Sequence, residues 1–365
     1  MKAYLILEDG TVFAGKSIGS SREVISEIVF NTSMTGYLEV LTDPSYAGQA
    51  VVMTYPLIGN YGICREDMEA RASCTDGFIV RELSQTFSNF RGEQSIQDFL
   101  VSQDIPGISG IDTRALTKIL RERGTMNGMI TTELPKEMDA VLNRIKQYSV
   151  RNVVARVTTR EPVFFRPGDL DTDSNVPVTK KVAILDVGTK YNIARCLLKR
   201  GCALTIYPAD TKAETIAAAK PDGIMLTNGP GDPKECTGVI EELKKLYETD
   251  IPIFAICLGH QLMALASGFD TVKMKYGHRG SNHPVKDIQS GRVYISSQNH
   301  GYVVKEDSVA DSVAEVAFVN VNDGSIEGLT YRNKKIFTVQ FHPEACAGPK
   351  DSEILFDRFI NMMSE

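Results

Sequence analysis

A short apolar run that ends in a cysteine constrains this chain more than any other feature. Five of the six residues 251–256 are apolar, and Cys257, Leu258 and Gly259 follow at once. Such a run predicts a buried parallel strand, and the apolar positions up to Gly268 predict a helix that ends at that glycine. Cys257 would then occupy a sharp strand-to-helix turn, where free N–H groups of the helix favour a thiolate. The alternative is a cysteine packed in the core like a small apolar residue.

Size and composition fit a globular protein of two domains and exclude several classes of function. The chain has 365 residues, 42% of them hydrophobic, and a net charge of −6. That charge gives no reason to expect nucleic acid or an anionic membrane as partner. No apolar run approaches the roughly 18 residues of a membrane span, and we expect no signal peptide. Seven cysteines without a CxxC pair indicate free thiols in a reducing cytoplasm.

The second half of the chain alternates strands and helices, which predicts a parallel sheet with right-handed crossovers. In such a sheet, ligands bind beyond the carboxyl ends of the strands. Two of these ends carry unusual residues, the loop 227–233 after one strand and Cys257 after the next. The predicted strands are 181–185, 203–207, 223–226 and 251–256, and the predicted helices are 192–199, 211–219 and 238–249.

The first half predicts a smaller mixed β/α domain without a catalytic cluster. An Asp-Gly turn at residues 9–10 between two apolar runs predicts a β-hairpin. An apolar stripe between Asp112 and Gly124 predicts a helix with a cap at each end. Residues 158–178 are rich in proline and aspartate and cannot supply a core, which predicts a linker. The predicted organisation is a domain over 1–150, a linker over 151–178 and a second domain over 179–365.

A base for the cysteine is available in Phe341-His-Pro-Glu344. A cysteine needs such a base to act as a nucleophile near neutral pH. Pro343 excludes a helix, and in extended chain Glu344 lies on the same side as His342, whose ring it can hold. A polar turn after a strand is the alternative interpretation, and the combination with Cys257 favours a triad.

The loop 228–233, Asn-Gly-Pro-Gly-Asp-Pro, follows the preceding predicted strand. Its two glycines let the backbone approach a ligand closely and present N–H groups. Its prolines argue against a phosphate cradle, which needs many such donors. A backbone N–H from this loop, together with that of Leu258, would form an oxyanion hole. An ordinary tight turn is the alternative.

These three motifs together resemble class I, triad-type glutamine amidotransferases, through Cys-Leu-Gly-His-Gln at 257–261, the loop 228–233 and Phe-His-Pro-Glu at 341–344. The resemblance implies an α/β fold: a C-terminal flavodoxin-like amidotransferase domain, with a parallel sheet flanked by helices, preceded by the smaller mixed β/α domain. Further segments resemble the small, glutamine-hydrolysing chains of carbamoyl-phosphate synthases and extend the match over essentially the whole sequence. They are 30–37, 42–46, 54–60, 110–114, 275–285 and 297–303.

The resemblance implies roles for particular residues. Cys257 would attack the amide carbon of glutamine, His342 would move the protons, and Glu344 would orient His342. Ser45 would bring the N-terminal domain to the glutaminase site. The implied L-glutamine contacts are Ser45, Gly229, Gly231, Leu258, Gln261, Asn299, Gly301 and Tyr302.

The resemblance also implies partners. The chain would pass ammonia to a large subunit that docks on residues 1–150 and makes carbamoyl phosphate from bicarbonate and ATP, for arginine synthesis, pyrimidine synthesis or both. ATP and Mg²⁺ are expected on that subunit and no cofactor on this chain, and a higher oligomer of heterodimers stays open. Two alternatives are the glutaminase of another pathway, which would not require residues 1–150, and a non-catalytic scaffold, which would typically lack the nucleophile or the base.

Two positions depart from the family pattern. Ala255 stands where the elbow usually has glycine, and alanine reaches a positive φ less readily. Tyr302 stands where phenylalanine is commoner, which adds a hydroxyl. The remaining histidines lack a metal-ligand spacing, so no metal site is predicted. They are His260, His278, His283 and His300.

Overall fold

The computed structural model describes residues 1–345 and 347–364. The chain divides into two compact units, Met1–Arg151 (unit 1) and Asn152–Glu365 (unit 2). Among the described residues, no helix has the length and apolar character needed to cross a membrane.

Unit 1 is built on a closed β-barrel with short helices around it. Its strands are β1 (Lys2–Leu7), β2 (Val12–Gly19), β3 (Val24–Asn31), β4 (Gln49–Met53), β5 (Leu57–Ile58), β6 (Gly77–Ile79), β7 (Glu82–Leu83), β8 (Pro106–Ser109) and β9 (Met126–Thr131). Its helices are α1 (Tyr37–Thr42), α2 (Ile96–Ser102), α3 (Thr113–Arg123) and α4 (Met138–Gln147). The order around the barrel is β1-β2-β8-β6-β4-β3-β9, and β5 pairs with β7 outside it.

The local predictions for unit 1 are confirmed. Strands β1 and β2 form the predicted hairpin, in which Leu5 faces Phe13. Helix α3 begins where the Asp112 carboxylate accepts the N–H of Ala115 at 3.0 Å, and it ends at Gly124, whose φ is 100°. The closure of the barrel was not predicted, because it depends on pairing between β1 and the distant β9.

Unit 2 contains a sheet of ten described strands with helices on both faces. Its strands are β10 (Val163–Phe165), β11 (Lys180–Asp186), β12 (Cys202–Pro208), β13 (Gly223–Leu226), β14 (Ile253–Ile256), β15 (Thr271–Asp287), β16 (Val293–Val304), β17 (Ala314–Asn320), β18 (Ile326–Tyr331) and β19 (Ile336–Val339). Its helices are α5 (Val154–Val157), α6 (Tyr191–Leu198), α7 (Ala213–Ala218), α8 (Thr237–Tyr247), α9 (Leu258–Ala266) and α10 (Ile354–Met362).

The centre of this sheet is parallel, as predicted. Its strands lie in the order β12-β11-β13-β14-β19, and all four neighbouring pairs are parallel. Alternate side chains enter two different cores because successive residues of a strand face opposite sides. Ala183 and Leu185 pack with α7, α8 and α9, whereas Val182 and Ile184 pack with α6 and α10.

The predicted linker differs from the structure. Part of the segment 151–178 forms the edge strand β10, which pairs antiparallel with β12, and the whole segment falls within unit 2. Its composition was misleading because Val163-Phe-Phe165 is short and an edge strand needs only one partner.

An antiparallel extension follows the parallel part of the sheet and was also not predicted. Its order is β19-β18-β17-β15-β16, and the long strands β15 and β16 pair with irregularities between Lys273 and His278 and between Gly280 and His283. The segment 297–303 of this extension reaches the carboxyl ends of β14 and β19, where Asn299 contacts Cys257 and Ser297 contacts His342.

Candidate active site

Cys257 occupies a strained turn between β14 and α9. Its φ is 54° and its ψ is −105°, although it is not glycine, and its N–H donates to the carbonyl oxygen of Val339 at 2.8 Å. The side chain is only 2% exposed, and Sγ lies 3.6 Å from the carbonyl oxygen of Asn299. Burial alone would fit a packed cysteine. The strained backbone would not, because a core cysteine needs no positive φ, whereas an elbow that presents a nucleophile does.

The residues around the elbow explain how the chain turns so sharply. A Cβ atom on Gly259 would lie 2.6 Å from the carbonyl oxygen of Leu226, so only glycine fits there. Ala255 lies fully buried within β14 and is absent from the residues with positive φ. The departure at Ala255 therefore places no strain on the turn, because the unusual backbone conformation falls on Cys257 instead.

His342 and Glu344 form a hydrogen-bonded pair just beyond β19. Nδ1 of His342 lies 2.6 Å from Oε1 of Glu344, so the ring N–H donates to the carboxylate. The expected extended chain is absent: the N–H of Ala345 donates to the carbonyl oxygen of His342 at 3.1 Å and closes a turn. Nε2 of His342, the nitrogen that would accept a thiol proton, is buried without a hydrogen-bond partner among the described residues.

Lys190 belongs to the same group and was missed by the sequence analysis. Its Nζ lies 3.5 Å from Nδ1 of His342 and 3.5 Å from Oε1 of Glu344, and its side chain is almost fully buried. Burial raises the pKa of Glu344, but the interactions of this carboxylate with His342 and Lys190 outweigh burial and hold this pKa below its ordinary value. The sequence signal that could have identified Lys190 is its position just after β11. The carboxyl end of β11 lies beside that of β13, where ligands of such sheets bind.

One segment of β16 borders both the nucleophile and the base. The carbonyl oxygen of Asn299 faces Sγ of Cys257, and the carbonyl oxygen of Ser297 accepts the N–H of His342 at 2.9 Å. The strands β14 and β19 are parallel neighbours in which Ile256 faces Val339. Both groups therefore emerge at the same end of the sheet and against the same stretch of backbone.

The loop 228–233 lies against the start of α9. A Cβ atom on Gly229 would lie 2.1 Å from the carbonyl oxygen of Val187 and 2.7 Å from Cδ2 of Leu258, so this position also requires glycine. Gly231 has a φ of 88°. The N–H of Leu258 stands in the first turn of α9, where no residue of the helix can accept it. These backbone groups are suited to stabilise an oxyanion next to Cys257.

The other residues implied as glutamine contacts lie in two places. The amide nitrogen of Gln261 donates to the carbonyl oxygen of Tyr302 at 2.8 Å and to Oε1 of Gln340 at 2.9 Å, so a contact with substrate would use its oxygen. Asn299 and Gly301 lie on β16 in the same sheet. Ser45 lies in unit 1, in the 3-10 turn Pro44–Tyr46, where its N–H donates to the Asp43 carboxylate at 2.8 Å.

Two groups of histidines have different characters. His260 lies inside α9, is fully buried, and bonds only Thr338 Oγ1 through Nδ1 at 2.7 Å among the described residues; burial lowers its pKa to about 3. His278, His300 and Glu327 offer ligand atoms within 4.8 Å of one another, a set that could hold a transition metal. The spacing of these residues in the sequence hid this group, because β15, β16 and β18 bring its members together.

Curated relatives match this chain along nearly its full length. The carbamoyl phosphate synthase small chain of Clostridium perfringens is 50% identical over 360 residues, which cover 99% of each chain. That of Oceanobacillus iheyensis is 48% identical over 362 residues, covering 99% of this chain and 96% of its own. That of Vibrio parahaemolyticus is 47% identical over 373 residues, covering 100% of this chain and 98% of its own.

Two family models divide the chain in the same way as the fold. Residues 183–362 match the family described as glutamine amidotransferase class-I, and residues 5–130 match the carbamoyl-phosphate synthase small chain, CPSase domain. Unit 2 thus contains a class I glutamine amidotransferase domain. With its N-terminal part matched as well, and with relatives that span its length, the chain belongs to the carbamoyl phosphate synthase small chain family. The match over residues 5–130 disfavours the glutaminase of another pathway.

Proposed function

We propose that this chain, as the glutaminase subunit of a carbamoyl phosphate synthase, hydrolyses glutamine through a thioester on Cys257. The observation that carries this proposal is the strained backbone of Cys257, whose φ is 54° at the start of α9. A conformation of this kind persists only where the surrounding structure enforces it, and such positions cluster at active sites. The scaffold alternative is disfavoured because nucleophile, base and orienting carboxylate are all present.

In the first half of the reaction, Nε2 of His342 takes the proton of the Cys257 thiol. The sulfur attacks the amide carbon of glutamine, and the carbonyl oxygen becomes an oxyanion held by the N–H of Leu258 and by a backbone N–H of the loop 228–233. Glu344 fixes the tautomer that leaves Nε2 unprotonated, since Nδ1 donates to its carboxylate. His342 then gives its proton to the leaving nitrogen, and ammonia departs from the thioester.

In the second half, water replaces ammonia. His342 removes a proton from the water, whose oxygen attacks the thioester carbon, and the same donors hold the second oxyanion. The thiolate leaves, regains its proton, and glutamate is released. Lys190 contributes a fixed positive charge that keeps Glu344 ionised throughout, and an ionised Glu344 stabilises the imidazolium formed in each half.

We assign the recognition of glutamine to polar and backbone groups around the elbow. The residues that would contact the substrate are Asn299, Gly301 and Tyr302 on β16, Gln261 on α9, Gly229 and Gly231, the backbone of Leu258, and Ser45 from unit 1. Backbone groups and a serine hydroxyl suit the α-amino and α-carboxyl groups of an amino acid. The carbonyl oxygen of Asn299, 3.6 Å from Sγ, supports a substrate position beside this part of β16.

The ammonia would pass to a large subunit that docks on unit 1. That subunit would bind ATP and Mg²⁺, so this chain would need no cofactor for its own step. Heterodimers could assemble further into a higher oligomer. The cysteines that the structure describes are all free thiols, which supports a reducing, cytoplasmic setting.

Covalent trapping tests this proposal directly. A glutamine-like electrophile should add one equivalent of label to the chain, on Cys257, and excess glutamine should slow the labelling. Cys257→Ser should take up no label, whereas Cys202→Ser, which removes another buried thiol of unit 2, should label normally. Label on a different residue, or labelling that glutamine does not slow, would exclude Cys257 as the nucleophile.

A further inference from the structure

A buried charged cluster lies against the β16 segment that borders the nucleophile. Its centre is His278, whose Nε2 lies 2.8 Å from Oδ2 of Asp323 and whose Nδ1 lies 3.6 Å from Oε1 of Glu327. The first distance is a hydrogen bond, and the second is an ion-pair distance longer than a hydrogen bond. Glu327 is fully buried, and the proposed steps of glutamine hydrolysis use neither Glu327 nor His278.

The surroundings of His278 favour its charged form. Burial lowers the pKa of His278, but Glu327 and Asp323 together outweigh it, so that the pKa is raised. The other titratable neighbours are His283 and His300, whose own pKa values are lowered by burial and by the charge of His278. Arg279 adds a further positive charge near His300. A carboxylate therefore lies beside each ring nitrogen of His278, at hydrogen-bond distance from Nε2 and at a longer distance from Nδ1.

Glu327 connects the cluster to β16 through the side chain of Gln298. Its Oε2 accepts the amide N–H of Gln298 at 2.9 Å, and its Oε1 accepts the amide N–H of Asn320 at 2.8 Å. Oε1 of Gln298 in turn lies 2.8 Å from Nε2 of His300. The carboxylate thus fixes the orientation of the Gln298 amide, which in turn fixes the ring of His300.

The next contacts lead to the glutamine side of the strand. Nδ1 of His300 lies 2.9 Å from the carbonyl oxygen of Tyr302, the oxygen that accepts the amide N–H of Gln261. A neutral His300 with its proton on Nε2 contacts this oxygen without donating to it. Between Gln298 and His300 stands Asn299, whose carbonyl oxygen faces Sγ of Cys257. Residues 298–302 therefore contact the charged cluster through side chains and border the nucleophile through the backbone of Asn299.

We propose that the buried Glu327 carboxylate, which lies beside His278 and acts through Gln298, positions residues 298–302 for glutamine binding and so determines the affinity for glutamine rather than the reactivity of Cys257. The inference rests on the proposed glutamine contacts of Asn299, Gly301 and Tyr302. His278 and Glu327 are positioning residues, since their side-chain hydrogen bonds among the described residues go to Asp323, Gln298 and Asn320 and not to Cys257 or His342. A uniform change in binding raises KM and leaves kcat unchanged.

Protonation of His278 and a bound metal ion are two alternative states of this cluster. His278 has a carboxylate beside each of its ring nitrogens, and Nε2 of His300 faces the amide oxygen of Gln298. A metal ion bound by His278, His300 and Glu327 would need His278 as the neutral imidazole, because a protonated ring nitrogen has no lone pair to offer. The metal content of the purified protein separates these two states.

The main test is Glu327→Gln in the complex with the large subunit. The amide keeps the shape and removes the negative charge, and its single oxygen can accept from Gln298 or from Asn320 but not from both in the present geometry. We expect KM for glutamine to rise about tenfold while kcat changes less than about twofold. Synthesis from free ammonia should be unchanged. Glu315→Gln is the matched control, because Glu315 pairs with Arg332 at an exposed position of the neighbouring β17; its KM should equal that of the wild type.

Two further variants keep the test decisive if Glu327→Gln does not fold. Asp323→Asn changes a carboxylate that is 43% exposed and should raise KM about threefold. Combining Glu327→Gln with His278→Gln should raise KM no further than either change alone, because the two residues act as one unit. Alkylation of Cys257 by a small neutral reagent should keep its wild-type rate in all of them.

Several results would overturn the inference. An unchanged KM in both Glu327→Gln and Asp323→Asn would do so, as would a fall in kcat at constant KM. About one equivalent of zinc, retained by the wild type and lost in Glu327→Gln, would make the cluster a metal centre instead. If Cys257→Ser is inactive with glutamine and these variants keep their KM, this inference fails alone; if Cys257→Ser remains active, the proposed function fails first.

Discussion

A Cβ atom on Gly259 would lie 2.6 Å from the carbonyl oxygen of Leu226, which means that the backbone after the nucleophile touches strand β13 directly. The N–H of Gly259 also donates to the carbonyl oxygen of Thr227 at 2.9 Å. This contact fixes the first turn of α9 over the ends of β13 and β14. The orientation of the Leu258 N–H, and with it the oxyanion hole, depends on that turn.

Gly259→Ala should therefore impair both stability and glutamine hydrolysis. The methyl group cannot fit without moving α9 away from β13, a displacement that we expect to destabilise the protein by about 1–3 kcal/mol. Gly238→Ala is the control, since a Cβ atom there meets nothing within 4 Å and the residue lies in α8; it should be neutral or slightly stabilising. Urea unfolding and glutamine-dependent synthesis measure both effects, and equal behaviour of the two variants would contradict the close contact.

Cys257→Ser should separate the two nitrogen sources of the assembled enzyme. A serine hydroxyl is far less acidic than a thiol, so glutamine-dependent synthesis should fall by at least about 10³-fold. Ammonia-dependent synthesis should persist, because this chain takes no part in it. Cys74→Ser, in unit 1, should leave both activities unchanged. Loss of both activities in Cys257→Ser would point to disrupted assembly instead of a missing nucleophile.

Lys190→Met should shift the pH dependence of glutamine hydrolysis. Without the cation, burial raises the pKa of Glu344, so the carboxyl is protonated up to a higher pH and the acid limb of the kcat profile moves to higher pH. At neutral pH we expect kcat to fall about tenfold. Lys199→Met changes the exposed lysine that follows α6, the helix that Lys190 precedes, and should leave the profile in place. An unshifted acid limb in Lys190→Met would remove Lys190 from the mechanism.

His260 should make the protein sensitive to acid. Its pKa is about 3 in the folded chain because it is fully buried, and about 6.5 when unfolded, so the unfolded state binds more protons between these values. The contribution of His260 to the free energy of unfolding is therefore fully present above pH 6.5. It falls as the pH is lowered, by about 2 kcal/mol at pH 5. His260→Leu should reduce the slope of unfolding free energy against pH by about one proton. An unchanged slope would show that His260 titrates normally.

The parallel sheet and the elbow could be predicted because their signals are local. The strands β11, β13 and β14 were each predicted from an apolar run in their own segment, and the residues after Cys257 predicted the turn. Barrel closure between β1 and β9 and the edge strand β10 left no such mark, since each depends on a partner far away in the sequence.

The candidate site was predicted only in part. His342 and Glu344 lie together as anticipated, but through a turn closed at Ala345 instead of extended chain. Lys190 was overlooked because a lysine after a strand resembles a solvated residue until its burial is known. The cluster of His278, His300 and Glu327 could not be found by spacing, because antiparallel pairing in the sheet creates it.

The hydrogen bond from Cys257 to Val339 continues the ladder between β14 and β19. Neighbouring strands are about 4.8 Å apart regardless of the length of chain that joins them. The strand spacing of the sheet thus sets the distance between the catalytic groups. The hairpins that join the strands between these groups can lengthen or shorten without changing that distance. Insertions at residues 288–292 or 321–325 would alter the outline of the molecule while the spacing at which the thiol meets its base stays the same.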